Sequence, residues 1–216
     1  SDGAGKIIWQ KAVKAKLPES SSIREGHGYA SSTVVVDRDH IYVFFGKTGV
    51  FAFNHEGKQV WQADVGDKLN GWGSSNSPVL FGDLVIVNAS IESESLVALD
   101  RMTGKEKWRV KGIRESWNIP ILVDTGTRKE LVVATMGKVF GFNPETGEQL
   151  WSCATDIGWY MVPCLVAKDG VIFCVGGRSN QGFAVKAGGS GDVTRTPRIW
   201  TINKGSNVTS PVWHEG

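Results

Sequence analysis

The stretch NPETGEQLW, residues 143–151, ends on a tryptophan that follows a glycine by four residues. The same phrase occurs three more times, as DRMTGKEKW (residues 100–108), NHEGKQVW (residues 54–61) and DGAGKIIW (residues 2–9). Asp or Asn at the end of a strand accepts hydrogen bonds from the backbone that follows, and the glycine supplies a positive φ without steric cost. Each phrase therefore predicts a tight turn that leads into another strand.

The tryptophans of these phrases mark a repeat that runs along the whole chain. They are Trp9, Trp61, Trp108 and Trp151, and Trp200 continues the series with steps of 43 to 52 residues. Each step holds about four short runs of β-branched and aromatic residues, separated by turn compositions. A period of this length with four strands per unit is typical of a β-propeller. We therefore predict an all-β fold, a β-propeller of four-stranded antiparallel blades with a tryptophan packed between neighbouring blades.

Composition excludes several classes of partner. The chain has 216 residues, of which 41% are hydrophobic and 21% charged, and its formal net charge is +2. This balance gives no electrostatic reason to expect nucleic acid or an anionic membrane as a partner. No apolar run approaches the roughly 20 residues that a transmembrane helix needs. We expect no nucleic acid partner and no membrane insertion.

The repeat also resembles a known family. The phrases ALDRMTGKEKW (residues 98–108) and GFNPETGEQLW (residues 141–151), with Ser77–Pro78–Val79 opening a strand, resemble the pyrroloquinoline-quinone-type, BamB-like β-propeller repeat. The segments GHGYASS, ESWNIP and GGSGDV are more similar to a secreted bacterial branch of this family than to its enzymes. The resemblance covers essentially the whole chain. It implies a ring of seven or eight blades and an extracytoplasmic location, and by itself it implies no function.

The repeats divide residues 1–216 into the parts of a single propeller domain or fragment. Residues 1–9 are interpreted as a closing strand, and residues 201–216 as the opening strand of a further blade. The complete repeats between them are 10–61, 62–108, 109–151 and 152–200. We therefore expect about four blades that belong to a larger ring. The alternative is self-association, in which two copies of the chain complete one ring.

Catalytic chemistry is disfavoured by what the chain lacks. If the chain were one of the quinone enzymes of the family that it resembles, the resemblance would imply adjacent cysteines over the cofactor. It would also imply Glu, Asn and Asp side chains around Ca²⁺. Here Cys153, Cys164 and Cys174 are not adjacent, and no acidic cluster predicts a calcium site. We predict no cofactor, no metal and no catalytic residue, and favour a non-enzymatic protein. The alternative is a quinoprotein-like oxidoreductase whose catalytic residues lie partly outside this chain.

Two local features leave alternatives open. Cys164 and Cys174 flank the turn Lys168–Asp169–Gly170, and we interpret them as small buried residues of adjacent strands. A cross-strand disulfide is the alternative, although its geometry is demanding. The segment Gly188–Asp192 is interpreted as a flexible insertion in one blade, with an anion-binding backbone nest as the alternative.

Aromatic residues recur where one blade's last strand crosses to the next blade's first strand. Successive crossings lie on one face of a propeller, so these rings should gather at one mouth of the central channel. Tyr and Trp are common at binding hot spots, and a histidine adds a group that titrates near neutral pH. The candidate binding residues are His27, Tyr29, Trp72, Trp117, Trp159 and Tyr160.

The predicted function is therefore a non-enzymatic binding or scaffold module. It would recognise a protein, a peptide or a glycan at the channel mouth. The alternative interpretation of the same rings is structural, because propellers also need aromatic residues to fill the space between blades.

Overall fold

The computed structural model describes residues 3–16, 31–178, 181–195 and 198–214. Nearly all regular structure in these ranges is β, and the strands form four sheets. The exceptions are a short α-helix, α1 (Ser90–Ser93), and one turn of 3₁₀ helix (Gly46–Thr48). The predicted all-β propeller fold with four-stranded antiparallel blades is confirmed.

Blades 1 and 2 each consist of four antiparallel strands in chain order. Blade 1 contains β1 (Val35–Val36), β2 (His40–Phe44), β3 (Val50–Asn54) and β4 (Gln59–Ala63). Blade 2 contains β5 (Val79–Phe81), β6 (Leu84–Ala89), β7 (Ser95–Asp100) and β8 (Glu106–Lys111).

Blades 3 and 4 follow the same order, with one addition. Blade 3 contains β9 (Ile121–Asp124), β10 (Lys129–Thr135), β11 (Lys138–Phe142) and β12 (Gln149–Ala154). Blade 4 begins with β13 (Val166–Lys168), β14 (Val171–Gly176) and β15 (Gln181–Lys186). The chain then forms β16 (Gly191–Asp192) and returns to blade 4 as β17 (Arg198–Ile202).

Strand β16 does not belong to the blade that surrounds it in sequence. It pairs in parallel with β12, at the edge of blade 3, so that Trp151 lies opposite Gly191. The backbone N–H of Val193 then donates to the carbonyl of Ser152 at 2.8 Å. Gly191–Asp192, at the end of the segment interpreted as a flexible insertion, thus form the fifth strand of the neighbouring sheet. The flexibility of Gly188–Asp192 and its anion-binding alternative stay predictions.

The hydrophobic core lies between facing blades. One cluster joins Tyr42 and Val50 of blade 1 to Val85 and Val97 of blade 2. Two further clusters join blade 2 to blade 3 and blade 3 to blade 4. A single blade therefore buries its apolar faces only against its neighbours, as expected for a repeat architecture.

The repeated tryptophans dock on turns of the next blade. Trp61 lies in β4, and its ring covers Gly104, where an added Cβ would come within 2.6 Å of the indole. The indole Nε1–H of Trp61 donates to the carbonyl of Arg101 at 2.9 Å. Equivalent pairs of a tryptophan and a turn glycine are Trp9 with Gly57 and Trp108 with Gly147.

Trp151 is held in a different way. The glycine-marked turn that covers the other tryptophans is replaced in blade 4 by the longer loop that contains β16. The fully buried indole of Trp151 donates to a carboxylate oxygen of Glu130 at 2.7 Å. The backbone N–H of Gly188 donates to the same oxygen at 3.2 Å. The loop of blade 4 is thereby attached to a buried carboxylate of blade 3.

The predicted repeat boundaries stay a prediction. The repeated tryptophan lies in the last strand of each blade, but β4, β8 and β12 continue past it to Ala63, Lys111 and Ala154.

The cysteines Cys153, Cys164 and Cys174 are all free. Val166 pairs with Phe173, so the same register continued along the hairpin places Leu165, not Cys164, opposite Cys174. Side chains at successive strand positions point to opposite faces, which separates the two thiols. Burial raises the pKa of the Cys174 thiol well above its usual value, as expected for a small apolar core residue.

Candidate functional site

The crossing segments between the described blades contact one another. They comprise residues 64–78, 112–120 and 155–165. Ser116 of the second crossing forms an isolated parallel bridge with Met161 of the third. The backbone N–H of Trp117 donates to the carbonyl of Met161 at 2.7 Å, and that of Met161 donates to the carbonyl of Glu115 at 2.8 Å. Two crossings are thus joined to each other directly.

A ladder of buried polar side chains holds the second crossing against strands β6 and β10. The amide nitrogen of Asn88, in β6, donates to the hydroxyl of Ser116 at 2.8 Å. That hydroxyl donates to the carbonyl of Ala134, in β10, at 2.8 Å. The amide nitrogen of Asn118 donates to the same carbonyl at 2.7 Å. All four residues are fully buried, so these hydrogen bonds hold adjacent blades in one relative position.

Sequence reasoning did not identify this ladder. Asn118 lies in a polar segment that resembles a loop, where asparagine is ordinarily solvated. The available signal was its spacing: Asn76 and Asn118 each precede a proline by two residues, at the start of the first strand of a blade. Asn76 makes the corresponding hydrogen bond, from its amide nitrogen to the carbonyl of Asn88 at 2.7 Å.

Four of the six candidate binding residues lie together in the crossings that this ladder joins. The ring of Tyr160 lies 6.5 Å from that of Trp72, 6.0 Å from that of Trp117 and 6.2 Å from that of Trp159, measured between centroids. Each of the three crossings therefore contributes to one cluster, which we call the aromatic rim (Trp72, Trp117, Trp159 and Tyr160). His27 and Tyr29 lie outside the described residues.

The members of the aromatic rim differ in exposure. Trp72 is 44% exposed and Trp159 50% exposed, whereas Trp117 is only 7% exposed. The indole of Trp117 donates to the carbonyl of Gly73 at 2.9 Å and so links the first crossing to the second. Trp72 is oriented by an Asx-turn in which its backbone N–H donates to the side chain of Asn70 at 3.0 Å. Buried and exposed rings thus lie side by side in the cluster.

Two adjoining cavities open at the aromatic rim. The first has a volume of about 200 Å³ and a mainly apolar lining. Its lining residues are Trp72, Ser75, Trp117, Tyr160, Val162 and Val208. The second, of about 490 Å³, shares Trp72 and Tyr160 with the first and adds Trp159, Met136, Glu115 and Arg178 among its walls. An apolar cavity with a few polar groups beside it is the usual form of a binding site.

Arg178 lies over two of the rings. Its guanidinium carbon lies 4.6 Å from the centroid of Trp159 and 5.7 Å from that of Tyr160. The Nε–H of Arg178 donates to the hydroxyl of Tyr160 at 3.4 Å. Sequence reasoning missed Arg178 because it lies in the loop after β14, whereas the repeat pattern drew attention to the crossings.

The described ranges contain neither a metal-binding cluster nor a membrane-spanning helix. No group of three or more His, Cys, Asp or Glu side chains in the described ranges is arranged to hold a metal ion. None of the helices found in those ranges has the length and apolar character needed to cross a membrane.

The sequence profile of the family described as outer membrane protein assembly factor BamB matches residues 1–158. The protein of that name from Burkholderia pseudomallei is 28% identical over 108 residues, which make up 49% of this chain and 26% of that protein. This chain therefore spans about a quarter of its curated relative.

Solved structures show the same architecture. BamB from Moraxella catarrhalis is 19% identical and superposes with a TM-score of 0.53 over 87% of this chain and 52% of its own. A quinohemoprotein alcohol dehydrogenase from Pseudomonas putida is 14% identical and superposes with a TM-score of 0.56 over 80% of this chain and 34% of its own. At these identities the likeness concerns the fold alone.

Proposed function

Because the chain belongs to the family of the outer membrane protein assembly factor BamB, we propose that it is a non-enzymatic scaffold that holds a protein partner at its aromatic rim. The relative from Burkholderia pseudomallei is named as an outer membrane protein assembly factor. We extend to this chain a role in protein assembly and an extracytoplasmic location. The quinohemoprotein likeness supports the propeller architecture and favours no oxidoreductase activity.

The observation that carries this proposal is the exposure of two indoles over a rigid base. Trp72 and Trp159 are each about half exposed at the edge of adjoining cavities. Exposed apolar rings that lie together often mark an interaction site, and Trp is among the residues that contribute most at protein interfaces.

The buried ladder under the rim strengthens the proposal. Asn88, Ser116 and Asn118 fix the crossings through hydrogen bonds that solvent does not reach. A binding surface that is already ordered loses little conformational entropy when the partner docks. The two exposed indoles are therefore positioned for recognition before the partner arrives.

Site-specific photo-crosslinking in the producing cells tests this function. A photoreactive phenylalanine analogue replaces Trp159 in one variant and Met102 in another. The two side chains are 50% and 52% exposed, but Met102 lies in the turn before β8, at the opposite end of the blade from the crossings. We expect a protein adduct from position 159 and none from position 102, with mass spectrometry identifying the partner.

A second substitution makes the test specific. Trp72→Ala in the same crosslinking variant should reduce the adduct by about tenfold, because it removes a large contact beside position 159. Equal adducts from positions 159 and 102, or no protein adduct from position 159 in a folded chain, would contradict the proposal.

A further inference from the structure

Arg178 differs from the arginines that take part in ion pairs. Within the described ranges, five arginines contact a carboxylate, and Arg178 makes no such contact. The five are Arg101, Arg109, Arg114, Arg128 and Arg198. Arg178 instead lies over the rings of Trp159 and Tyr160, at the wall of the larger cavity. Its positive charge is held in place without a carboxylate from the described part of the chain.

The two basic residues of the three crossing segments are already paired with a carboxylate. Lys68 and Arg114, from the first two crossings, both pair with Glu94, at 3.0 Å and 2.7 Å. A guanidinium stacked on aromatic rings is pre-organised, so it loses little side-chain freedom when it binds a carboxylate through two parallel hydrogen bonds. The site therefore favours an anionic group on the ligand.

An apolar group can bind beside that anion. The cavity of about 200 Å³ adjoins the larger one across Trp72 and Tyr160, and its walls are mainly apolar. Val162 and Val208 line this smaller cavity and are not among the walls of the larger one. A ligand that spans both cavities must carry an apolar side chain close to a negative charge.

We infer that the aromatic rim recognises an acidic segment of a partner protein in which an Asp or Glu lies next to an aromatic or aliphatic residue. The carboxylate pairs with Arg178, and the apolar side chain enters the smaller cavity. This inference rests on the proposed function and specifies the chemistry of its partner.

Glu115 limits how much negative charge the ligand carries. It lines the same cavity as Arg178, and in the described ranges the two form no ion pair. Its backbone carbonyl accepts a hydrogen bond from the N–H of Met161, which holds the main chain of Glu115 at the junction between the crossings. A carboxylate at this position repels a second acidic group on the ligand. The site therefore selects one negative charge and rejects a run of them.

A displayed library of random dodecapeptides, selected on the immobilised full chain, gives the first test. Peptides enriched by the wild-type chain should carry Asp or Glu within two positions of Phe, Tyr, Trp, Leu, Ile or Val. Selection on the Arg178→Gln variant should keep the apolar residue and lose the acidic one. Enrichment of basic peptides, or the same acidic enrichment with both proteins, would overturn the inference.

Matched synthetic peptides give the quantitative test. The best enriched peptide is compared with versions in which its acidic residue is amidated (Glu→Gln or Asp→Asn) and its apolar residue is replaced by Ala. For the wild-type chain we expect each replacement to weaken binding by about tenfold, measured by fluorescence anisotropy at low salt. The Arg178→Gln variant should bind the acidic and amidated peptides equally. Glu115→Gln should bind the acidic peptide about two- to threefold more tightly than wild type does.

The outcomes separate this inference from the proposed function. If photo-crosslinking at position 159 captures a protein but the acidic and amidated peptides bind equally, the scaffold function stands and the acidic specificity is wrong. If Trp72→Ala weakens both peptides alike while Arg178→Gln weakens only the acidic one, both are supported. Circular dichroism of each variant confirms that the fold is retained.

Discussion

At the scale of single residues, a turn glycine sets how closely neighbouring blades approach. Gly104 has a φ of +71°, and the indole of Trp61 covers it so closely that no Cβ fits. The glycine is therefore required twice, by its backbone conformation and by the packed ring. Gly82 offers a matched comparison, because its φ is +54° and nothing lies within 4 Å of its missing Cβ.

We predict that Gly104→Ala lowers the free energy of unfolding by about 2–4 kcal/mol and Gly82→Ala by about 1 kcal/mol. Both variants place alanine at a positive φ, but only the first forces the ring of Trp61 away. Urea unfolding followed by circular dichroism measures both values. Equal losses would mean that backbone strain alone explains the glycine.

The role of residues that recur in every repeat was predictable from the sequence, whereas the role of a residue found at a single position was not. The turn glycines and the docking tryptophans recur in register, so their role follows from spacing. Arg178 occurs once, and its importance depends on Trp159 and Tyr160, which the fold brings beside it from another segment. Trp117 was predicted as a binding residue, and the structure shows that its ring is buried while it still lines the smaller cavity.

At the scale of elements, the Asx-turn between β7 and β8 depends on a charged side chain. The hydroxyl of Thr103 donates to the carboxylate of Asp100 at 2.8 Å, and its backbone N–H donates at 2.9 Å. These hydrogen bonds, the first above all, hold the pKa of Asp100 below its usual value. Asn143 occupies the corresponding position before β12 and forms the turn without a charge.

We predict that Asp100→Asn lowers stability at pH 7 and that its difference from wild type shrinks as the pH falls below about 4. A lowered pKa stabilises the fold above the unfolded-state pKa, and this contribution is lost as the pH falls through the folded-state value. Urea midpoints between pH 7 and pH 3 measure the effect. Asn143→Asp is the reciprocal variant and should acquire the same pH dependence, whereas a difference that stays constant with pH would contradict the explanation.

Short elements were the hardest to predict. The strand pairing of Gly191–Asp192 with β12 involves two residues, which leave no periodic pattern. Helix α1 has four residues and is equally invisible to periodicity. Both lie between elements whose own pattern was clear, and their conformation is decided by the blade against which they pack.

At the scale of the whole molecule, we expect blades 3 and 4 to unfold as one cooperative unit. Val193, just after β16, is buried in the core cluster that contains Trp151 and residues of both blades. We predict that Val193→Asp lowers the free energy of unfolding by roughly 3 kcal/mol, because it buries an unpaired charge. Val212→Asp, at a residue that is 87% exposed, should change it by less than about 0.5 kcal/mol.

Hydrogen exchange followed by mass spectrometry shows whether Val193→Asp destabilises only the loop or both blades. Peptides from β12 and from β15 should lose protection together, while those from β3 keep theirs. A loss of protection confined to residues 187–195 would mean that the loop unfolds independently of the two blades.

The position of β16 also has a consequence for biosynthesis. When β12 leaves the ribosome, the strand that will cover its outer edge has not yet been made, because β16 follows three strands of blade 4 in the chain. During that interval β12 presents unpaired backbone groups, the kind of edge at which nascent chains join wrongly to one another. Blade 3 thus reaches its final form only after most of blade 4 has been translated, and the rate of elongation through residues 155–192 sets how long the nascent chain remains open to misassembly.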